Sequence, residues 1–206
     1  MRVLLAGFGP FPGAPVNPSA LLVAAVARRR RPALAGLQLS THVFATAYAA
    51  VDRDLPKLFA ADPDAVLIFG LAGRRRRLCI ETRARNAVSL LFPDAAGHRP
   101  PAAAIAPDQP RARRGNAPFA RLLAAVRPSG FPAQLSRDAG RYLCNYVYWR
   151  ALQRVRNGTP LVAFVHIPPS GRAVPARRGR RRPPPWPRLV DAATGLLIAL
   201  AAASTH

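Results

Sequence analysis

The sequence predicts an α/β fold, in which a mostly parallel sheet is covered by helices on both faces. Short, continuous apolar runs alternate along the chain with stretches of helical pattern. Continuous apolar runs are typical of strands buried on both faces, and strand–helix alternation is typical of α/β layers. The length of 206 residues suits one domain with a substantial core.

Three strands and two helices are predicted in the first third of the chain. Residues 2–8 form an apolar run that glycine and proline end, which predicts a buried strand. Residues 17–31 predict a helix, because proline stands in the first turn and arginines stand at the end, where they suit the helix dipole. Residues 37–46 alternate like a strand, and Tyr48–Ala60 has a helical pattern. The strongest buried-strand signal is residues 64–69 (DAVLIF).

Further strands and helices are predicted between residues 78 and 167. Residues 78–91 are apolar enough for one or two strands. Residues 118–127 and 143–156 have helical patterns, with a short strand predicted between them at Ala133–Ser136. Residues 160–167 form another apolar run and predict a further buried strand.

Two stretches are too rich in proline and arginine to join a compact core. Residues 93–118 are predicted as a long surface loop. Residues 169–188 are predicted as a solvated linker. The predicted organisation is therefore an α/β domain over residues 1–168, the linker, and a C-terminal helix over residues 189–206 that packs on the same domain.

The charge of the chain is strongly basic, with 31 Lys and Arg against 9 Asp and Glu and a formal net charge of +22. Such a balance suggests nucleic acid or an acidic surface as a partner. However, the chain is rich in Ala, Arg, Pro and Gly, whose codons are all GC-rich, so codon bias accounts for much of the excess. Four arginine clusters stand out, at residues 28–31, 74–77, 111–114 and 177–182. Single-strand binders interleave aromatic and basic residues, and these clusters contain no aromatic residue.

Composition also excludes several classes of protein. Two cysteines are too few for a disulfide-stapled secreted scaffold. No apolar run reaches the roughly 18 residues of a membrane-spanning helix, and the N-terminal apolar run is too short for a signal peptide. We therefore expect a cytoplasmic protein that has no membrane partner.

Cys144 is the first candidate for chemistry, because it stands in the first turn of a predicted helix. The helix dipole and free amides there favour a reactive thiolate, and the same amides can hold an oxyanion. The alternative for any single cysteine is a small buried hydrophobic residue. We give Cys79 that second interpretation.

His166 and Glu81 are the other two candidates. His166 ends a predicted strand, and ligands of α/β sheets gather at the carboxyl ends of strands. Glu81 is the only glutamate in the chain and follows an apolar stretch, although it could simply pair with a nearby arginine. A thiol, an imidazole and a carboxylate together can carry out nucleophilic acyl transfer.

Four blocks of sequence then resemble the pyroglutamyl-peptidase I family of cysteine peptidases, family C15. The blocks, in the family's order, are GFGPFPG at 7–13 with NPS at 17–19, GLAG at 70–73 with Glu81 and Asn86, DAGRYLCN at 138–145, and FVHIP at 164–168. One such block is weak, whereas four in register over residues 1–168 are specific.

The resemblance implies an open three-layer α/β/α sandwich in a cytoplasmic enzyme, often a homotetramer, so we expect a homo-oligomer (a dimer or a tetramer). It implies hydrolysis of the amide bond after an N-terminal pyroglutamyl residue, with no cofactor and no metal. It also implies roles for three residues: Cys144 as nucleophile, His166 as general base and then acid, and Glu81 as the carboxylate that orients the imidazole.

The resemblance further implies a substrate-binding pocket. Phe8 and Phe11 match aromatic positions that flank the lactam ring, and the backbone at Leu71 and Leu143 is expected to hydrogen-bond the lactam amide. This division is physically reasonable, since an uncharged five-membered lactam needs apolar walls and a few neutral hydrogen bonds.

The chain departs from the family pattern around this pocket. Residues 74–77 are four consecutive arginines where the family usually has a glycine and one arginine. Residues 87–92 read AVSLLF, so that Leu91 stands where the family carries an arginine near the active site. Two alternatives therefore remain: a family member with altered acyl specificity, or an arginine-rich nucleic-acid-binding protein on an inactive peptidase scaffold.

Overall fold

A computed structural model describes residues 1–169 and 185–204. In chain order, the strands and helices of this part are β1 (Arg2–Phe8), α1 (Pro18–Ala27), β2 (Gln38–Phe44), α2 (Tyr48–Ala60), β3 (Ala65–Leu71), β4 (Leu78–Glu81), β5 (Arg83–Arg85), β6 (Ala112–Arg114), α3 (Phe119–Val126), β7 (Ala133–Ser136), α4 (Leu143–Leu152), β8 (Leu161–Ile167) and α5 (Trp186–Ala203). Short 3-10 turns span Pro32–Leu34 and Arg127–Ser129.

Six of the strands form one sheet in the order β2-β1-β3-β8-β4-β7. The four strands β2, β1, β3 and β8 are parallel to one another, which confirms the predicted mostly parallel sheet. Strand β4 runs antiparallel to β8 and parallel to β7. Strands β5 and β6 form a separate antiparallel pair.

Two apolar clusters cover the two faces of the sheet, so the fold is the expected three-layer α/β/α sandwich. Helices α1, α3 and α5 contribute Leu22, Leu122 and Leu196 to one cluster. Helices α2 and α4 contribute Val51 and Trp149 to the other. Strands β1, β3 and β8 supply both clusters, because successive side chains point to opposite faces.

Three segments differ from the sequence expectation. Helix α1 ends at Ala27 rather than near Arg31; there the Arg29 amide donates to the Val26 carbonyl at 2.9 Å and so closes the last turn with a 3-10-type bond. Helix α4 ends at Leu152 rather than near residue 156. The predicted surface loop at 93–118 contains β6, which pairs with β5. No local sequence pattern predicted this pairing.

Helix α5 begins at Trp186, three residues before the expected start, so the expected linker boundary at 188 is wrong. It packs against α1 and α3, and Arg29 of the α1 end donates to Asp191 at 2.7 Å. By length and composition α5 could cross a membrane, contrary to the expectation from sequence, but half of its residues are buried inside the fold. Most of the predicted linker, with the arginine cluster at 177–182, lies outside the described residues.

Candidate active site

Cys144 lies in the first turn of α4, which packs with α2 on the same face of the sheet. It is the second residue of the helix and is partly exposed, next to the fully buried Leu143. The first N–H groups of an α-helix have no partner within the helix, so the thiol stands beside free amide donors. This is the position that the sequence pattern predicted.

His166 lies near the carboxyl end of β8, in register with Gly70 of the neighbouring strand β3. A Cβ atom added to Gly70 would lie 2.8 Å from the Cys144 sulfur and 2.8 Å from the ring of Phe164. Real side chains do not tolerate such distances. Gly70 therefore provides the space on the sheet in which the thiol can sit beside His166.

Glu81 reaches His166 because of the antiparallel pairing between β4 and β8. In that register Glu81 is opposite Phe164, and Cys79 is opposite His166. Glu81 and His166 are thus diagonal neighbours on one face of the sheet, a separation that a long side chain can bridge. Glu81 Oε1 lies 2.8 Å from His166 Nδ1, which leaves Nε2 as the ring nitrogen available to the thiol.

The Glu81 carboxylate is fully buried and holds several donors at once. Arg75 Nη1 donates to Oε1 at 2.6 Å, the same oxygen that His166 contacts. The Asp138 amide donates to Oε2 at 3.1 Å, and Arg75 also donates to the Asp138 carbonyl. These contacts fix the carboxylate and join it to the turn that precedes Cys144.

The same contacts set the charge states of the histidine and the carboxylate. Burial acts to lower the pKa of His166, but its hydrogen bonds with Cys144 and Glu81 outweigh burial and raise the pKa to about 9. Burial acts to raise the pKa of Glu81, but the hydrogen bonds with His166 and Ser136 and the positive charges of His166 and Arg75 together outweigh burial and leave the pKa below its ordinary value. The site therefore favours an imidazolium beside a carboxylate anion at neutral pH.

Chemically, this arrangement supplies the groups that acyl transfer needs. It has a thiol whose sulfur lies against Gly70, the residue in register with His166, a carboxylate bonded to the His166 imidazole, and free amides at the start of a helix. Among residues 1–169 and 185–204, no three His, Cys, Asp or Glu side chains gather as metal ligands would.

Three of the four predicted substrate-binding residues stand on β1, β3 and α4 and Phe11 stands on the turn after β1, and the binding roles of all four stay predictions. Phe8, at the end of β1, is buried with its ring centroid 6.5 Å from that of Phe164, and the Phe164 ring is 5.1 Å from His166. Leu71 is half-buried and follows Gly70 at the end of β3. Leu143 directly precedes the thiol. Phe11 is partly exposed on the turn after β1, and its role in binding stays a prediction.

Two contributors to the site were missed by the sequence reasoning. Arg75 was seen only as part of an arginine run, although its partner Glu81 follows six residues later. Tyr148 was not singled out, but its hydroxyl donates to the Glu81 carbonyl at 2.9 Å. Its spacing of four residues from Cys144 on one helix face was an available signal.

Asn145 is a third residue whose role only the structure shows. It is fully buried, and its side-chain amide donates to the carbonyls of Arg85 at 2.8 Å and Ala87 at 2.9 Å. Its side-chain oxygen accepts from the Arg85 amide at 2.8 Å. Asn145, the residue after Cys144, therefore links helix α4 to the chain that follows β5.

Three of the arginine clusters each contribute an ordinary structural contact. Arg75 of the 74–77 cluster binds Glu81, and Arg29 of the 28–31 cluster pairs with Asp191. Arg113 of the 111–114 cluster lies over the ring of Trp149, 5.0 Å from its centroid. Each of these contacts joins separate parts of the fold.

Comparison with known proteins gives one consistent family. The family model described as pyroglutamyl peptidase matches residues 1–205, which extends beyond the residues 1–168 that carried the resemblance. A pyrrolidone-carboxylate peptidase from Gloeobacter violaceus is 34% identical over 82% of this chain and 82% of its own. One from Streptomyces coelicolor is 32% identical over 98% of this chain and 92% of its own. The crystal structure of pyrrolidone carboxyl peptidase from Thermus thermophilus superposes with a TM-score of 0.84 at 30% identity, covering 96% of this chain and 99% of that one.

Proposed function

The chain belongs to the pyroglutamyl peptidase family and is a cysteine-type exopeptidase, and we propose that it removes pyroglutamate from the N-terminus of peptides with Cys144 as the nucleophile. The observation that carries the proposal is the grouping of Cys144, His166 and Glu81: the Cys144 sulfur lies against Gly70, which is in register with His166, and Glu81 Oε1 lies 2.8 Å from His166 Nδ1. The names of the relatives supply the substrate class.

In the proposed reaction, the Cys144 thiolate attacks the carbonyl carbon of the pyroglutamyl residue. The C–S bond forms as the carbonyl π bond opens, which gives a tetrahedral oxyanion held by the free amides at the start of α4. The C–N bond then breaks, and the His166 imidazolium donates its proton to the departing amine. The products of this half-reaction are a thioester on Cys144 and the shortened peptide.

The second half-reaction regenerates the thiol. Neutral His166 takes a proton from a water molecule, whose oxygen attacks the thioester carbonyl. The C–S bond then breaks, pyroglutamate leaves, and the proton returns to the Cys144–His166 pair. Throughout, Glu81 holds the imidazole by Nδ1, so that the other ring nitrogen faces the reacting atoms.

For the acyl group, we propose a site between Phe8, Phe11 and the backbone of Leu71 and Leu143. The lactam ring has no charge, so apolar walls with a few backbone hydrogen bonds suit it. The buried Phe8 and the adjacent Phe164 supply such a wall on the β1 side.

The proposal is tested by measuring hydrolysis of pyroglutamyl, prolyl and alanyl p-nitroanilides by the full chain. We expect turnover of the pyroglutamyl compound only, complete loss in Cys144→Ala, and turnover close to wild type in the control Cys79→Ala. If the protein hydrolyses the prolyl or alanyl compound instead, the proposed pyroglutamyl specificity is wrong and the proposed peptidase chemistry stands. Turnover that survives in Cys144→Ala would refute the nucleophile.

A further inference from the structure

We propose that residues 89–93, here called the apical segment, form a subsite for an apolar side chain on the residue that follows pyroglutamate in the substrate. This inference rests on the proposed function and adds a preference for the leaving peptide. It is carried by the way the segment is attached to the turn before Cys144, and by its exposed apolar side chains.

Both ends of the apical segment are fastened to residues that immediately precede the nucleophile helix. The Ser89 amide donates to the Arg141 carbonyl at 2.7 Å. At the other end, the Tyr142 hydroxyl donates to the Pro93 carbonyl at 2.9 Å. Arg141 and Tyr142 are three and two residues away from Cys144 along the chain, so the segment stands beside the turn that leads to the thiol.

The chain on either side of the segment is also held. On the N-terminal side, Asn145 binds the Ala87 carbonyl at 2.9 Å. On the C-terminal side, buried Asp94 accepts from the amides of Tyr48, Ala96 and His98, each at 2.9 Å. These bonds therefore hold the apical segment in place on both sides, so that it can form a wall of the binding site.

Its side chains are apolar and face solvent. Leu90, Leu91 and Phe92 are 45%, 76% and 64% exposed. The other large apolar side chains with such exposure in residues 1–169 and 185–204 are scattered singly, namely Val16, Leu21, Val43 and Leu135. Scattered exposed leucines need no explanation, whereas a contiguous exposed apolar patch next to a reactive group marks a binding surface.

The leaving residue is the part of the substrate that this wall suits. In the proposed reaction the pyroglutamyl ring occupies the side of the site formed by Phe8 and Leu71. The next residue begins at the nitrogen of the bond that is cut, and one extended residue spans only about 3.5 Å. Its side chain therefore lies close to the turn at Arg141 and Tyr142, to which the wall is fastened. Leu91, the most exposed of the three large apolar side chains of the segment, makes that wall apolar.

The test compares kcat/KM for two substrates, pyroglutamyl-leucinamide and pyroglutamyl-alaninamide, in three proteins. These are the wild type, the double variant Leu91→Ser/Phe92→Ser, and the control Leu21→Ser, which replaces an exposed leucine on the opposite face of the sheet. We expect the wild type and the control to prefer the leucine substrate by about tenfold, a typical gain for a few methylenes in an apolar subsite. We expect the double variant to lose most of that preference while its kcat/KM for the alanine substrate stays within about twofold.

The outcomes separate this inference from the proposed function. Hydrolysis of both substrates with the same leucine preference in the double variant overturns the subsite and leaves the pyroglutamyl peptidase activity standing. Hydrolysis of neither substrate by the wild type overturns both. Light scattering on the same samples detects an interface between copies: a double variant that dissociates while keeping the wild-type preference shows that the apical segment binds another copy, and this too overturns the subsite.

Discussion

The two cysteines of the chain lie close to the same histidine but in very different surroundings. Cys79 is directly opposite His166 in the pairing of β4 with β8, whereas Cys144 approaches His166 from the start of α4. Cys79 is 1% exposed, and its sulfur contacts the Arg77 carbonyl and the Gln134 amide, each at 3.6 Å. Cys144 is partly exposed, and its sulfur lies against Gly70, the residue in register with His166.

The difference predicts that nearness to an imidazole does not by itself make a thiol reactive. A strand cysteine opposite His166 has neighbours on all sides and no approach for a substrate. A cysteine in the first turn of a helix has free amides beside it and solvent in front of it. In addition, Glu81 engages Nδ1 of His166, so the other ring nitrogen is the one left for a thiol.

The largest effect is expected from removing the charge that orients His166. Glu81→Gln keeps the size of the side chain but loses the carboxylate, so kcat/KM should fall by about 10⁴-fold, the scale seen when a catalytic histidine loses its acid. Hydrolysis of a pyroglutamyl anilide measures this, with circular dichroism and Glu81→Asp to check folding. Retention of more than a tenth of the activity in a folded Glu81→Gln protein would show that Cys144 does not depend on this carboxylate.

A smaller effect is expected from closing the space that the thiol occupies. Gly70→Ala places a methyl group 2.8 Å from the Cys144 sulfur in the unshifted structure, so the sulfur or the ring of Phe164 must move. Displacement of about 1 Å at a reacting atom costs about a hundredfold in rate. The rate of thioester formation in single turnover measures it. The matched control is Gly36→Ala, since Gly36 has no atom within 4 Å of an added Cβ, and equal rates in both variants would contradict the assigned role of Gly70.

A still smaller effect on activity is expected at Arg75, which shares Oε1 of Glu81 with His166. Arg75→Met removes a charge-assisted hydrogen bond, so kcat/KM should fall by about tenfold. It also leaves the negative charge of Glu81 less neutralised, which strengthens its hold on the His166 proton. Because an imidazolium must lose a proton on the alkaline side, the alkaline fall in activity, governed in the wild type by a His166 pKa of about 9, should move to higher pH.

The pH profile distinguishes this positioning role from a merely structural one. Loss of fold stability would lower the whole profile without moving its alkaline limb. The control Arg76→Met changes an exposed arginine next in the chain and should move neither the limb nor the maximum. An alkaline limb that moves to lower pH in Arg75→Met would contradict the assigned electrostatics.

The smallest effect is expected from Cys79. Replacing it by alanine removes one buried sulfur and should lower the free energy of unfolding by about 1 kcal/mol, with kcat/KM within about twofold of wild type. Mass spectrometry after brief treatment with iodoacetamide should find Cys144 alkylated well before Cys79, because Cys79 is buried. Faster alkylation of Cys79 would reverse the comparison.

The sequence predicted the strands and helices better than it predicted which of them contact one another. Tyr48–Ala60 and Ala133–Ser136 agree to the residue, since their patterns are local. The contact between Glu81 and His166 joins residues 85 positions apart and depends on β4 running against β8. Apolar patterns carry no strand direction, so only the family resemblance brought these residues together in advance.

Glu81 also shows why two competing interpretations of one residue could not be separated from sequence. It pairs with an arginine, as the simpler interpretation predicted, and it contacts the histidine, as the resemblance implied. A carboxylate with two oxygens accepts several donors at once, so a structural role and an orienting role do not exclude each other. The arginine run at 74–77 was a visible sign of the first role and concealed that Arg75 takes part in the second.

The hydrogen bonds that join residues 85–93 to Arg141, Tyr142 and Asn145 use only main-chain atoms of residues 85–93: the amides of Arg85 and Ser89 and the carbonyls of Arg85, Ala87 and Pro93. Main-chain atoms are the same for nearly every amino acid, so the bonds do not depend on which side chains the loop carries. Positions 90–92 can therefore be varied as a set in a mutant library while the frame around Cys144 stays in place. Natural mutations can change the same three positions in the same way. Selection for a peptide preference could therefore act at these positions with little loss of folding stability.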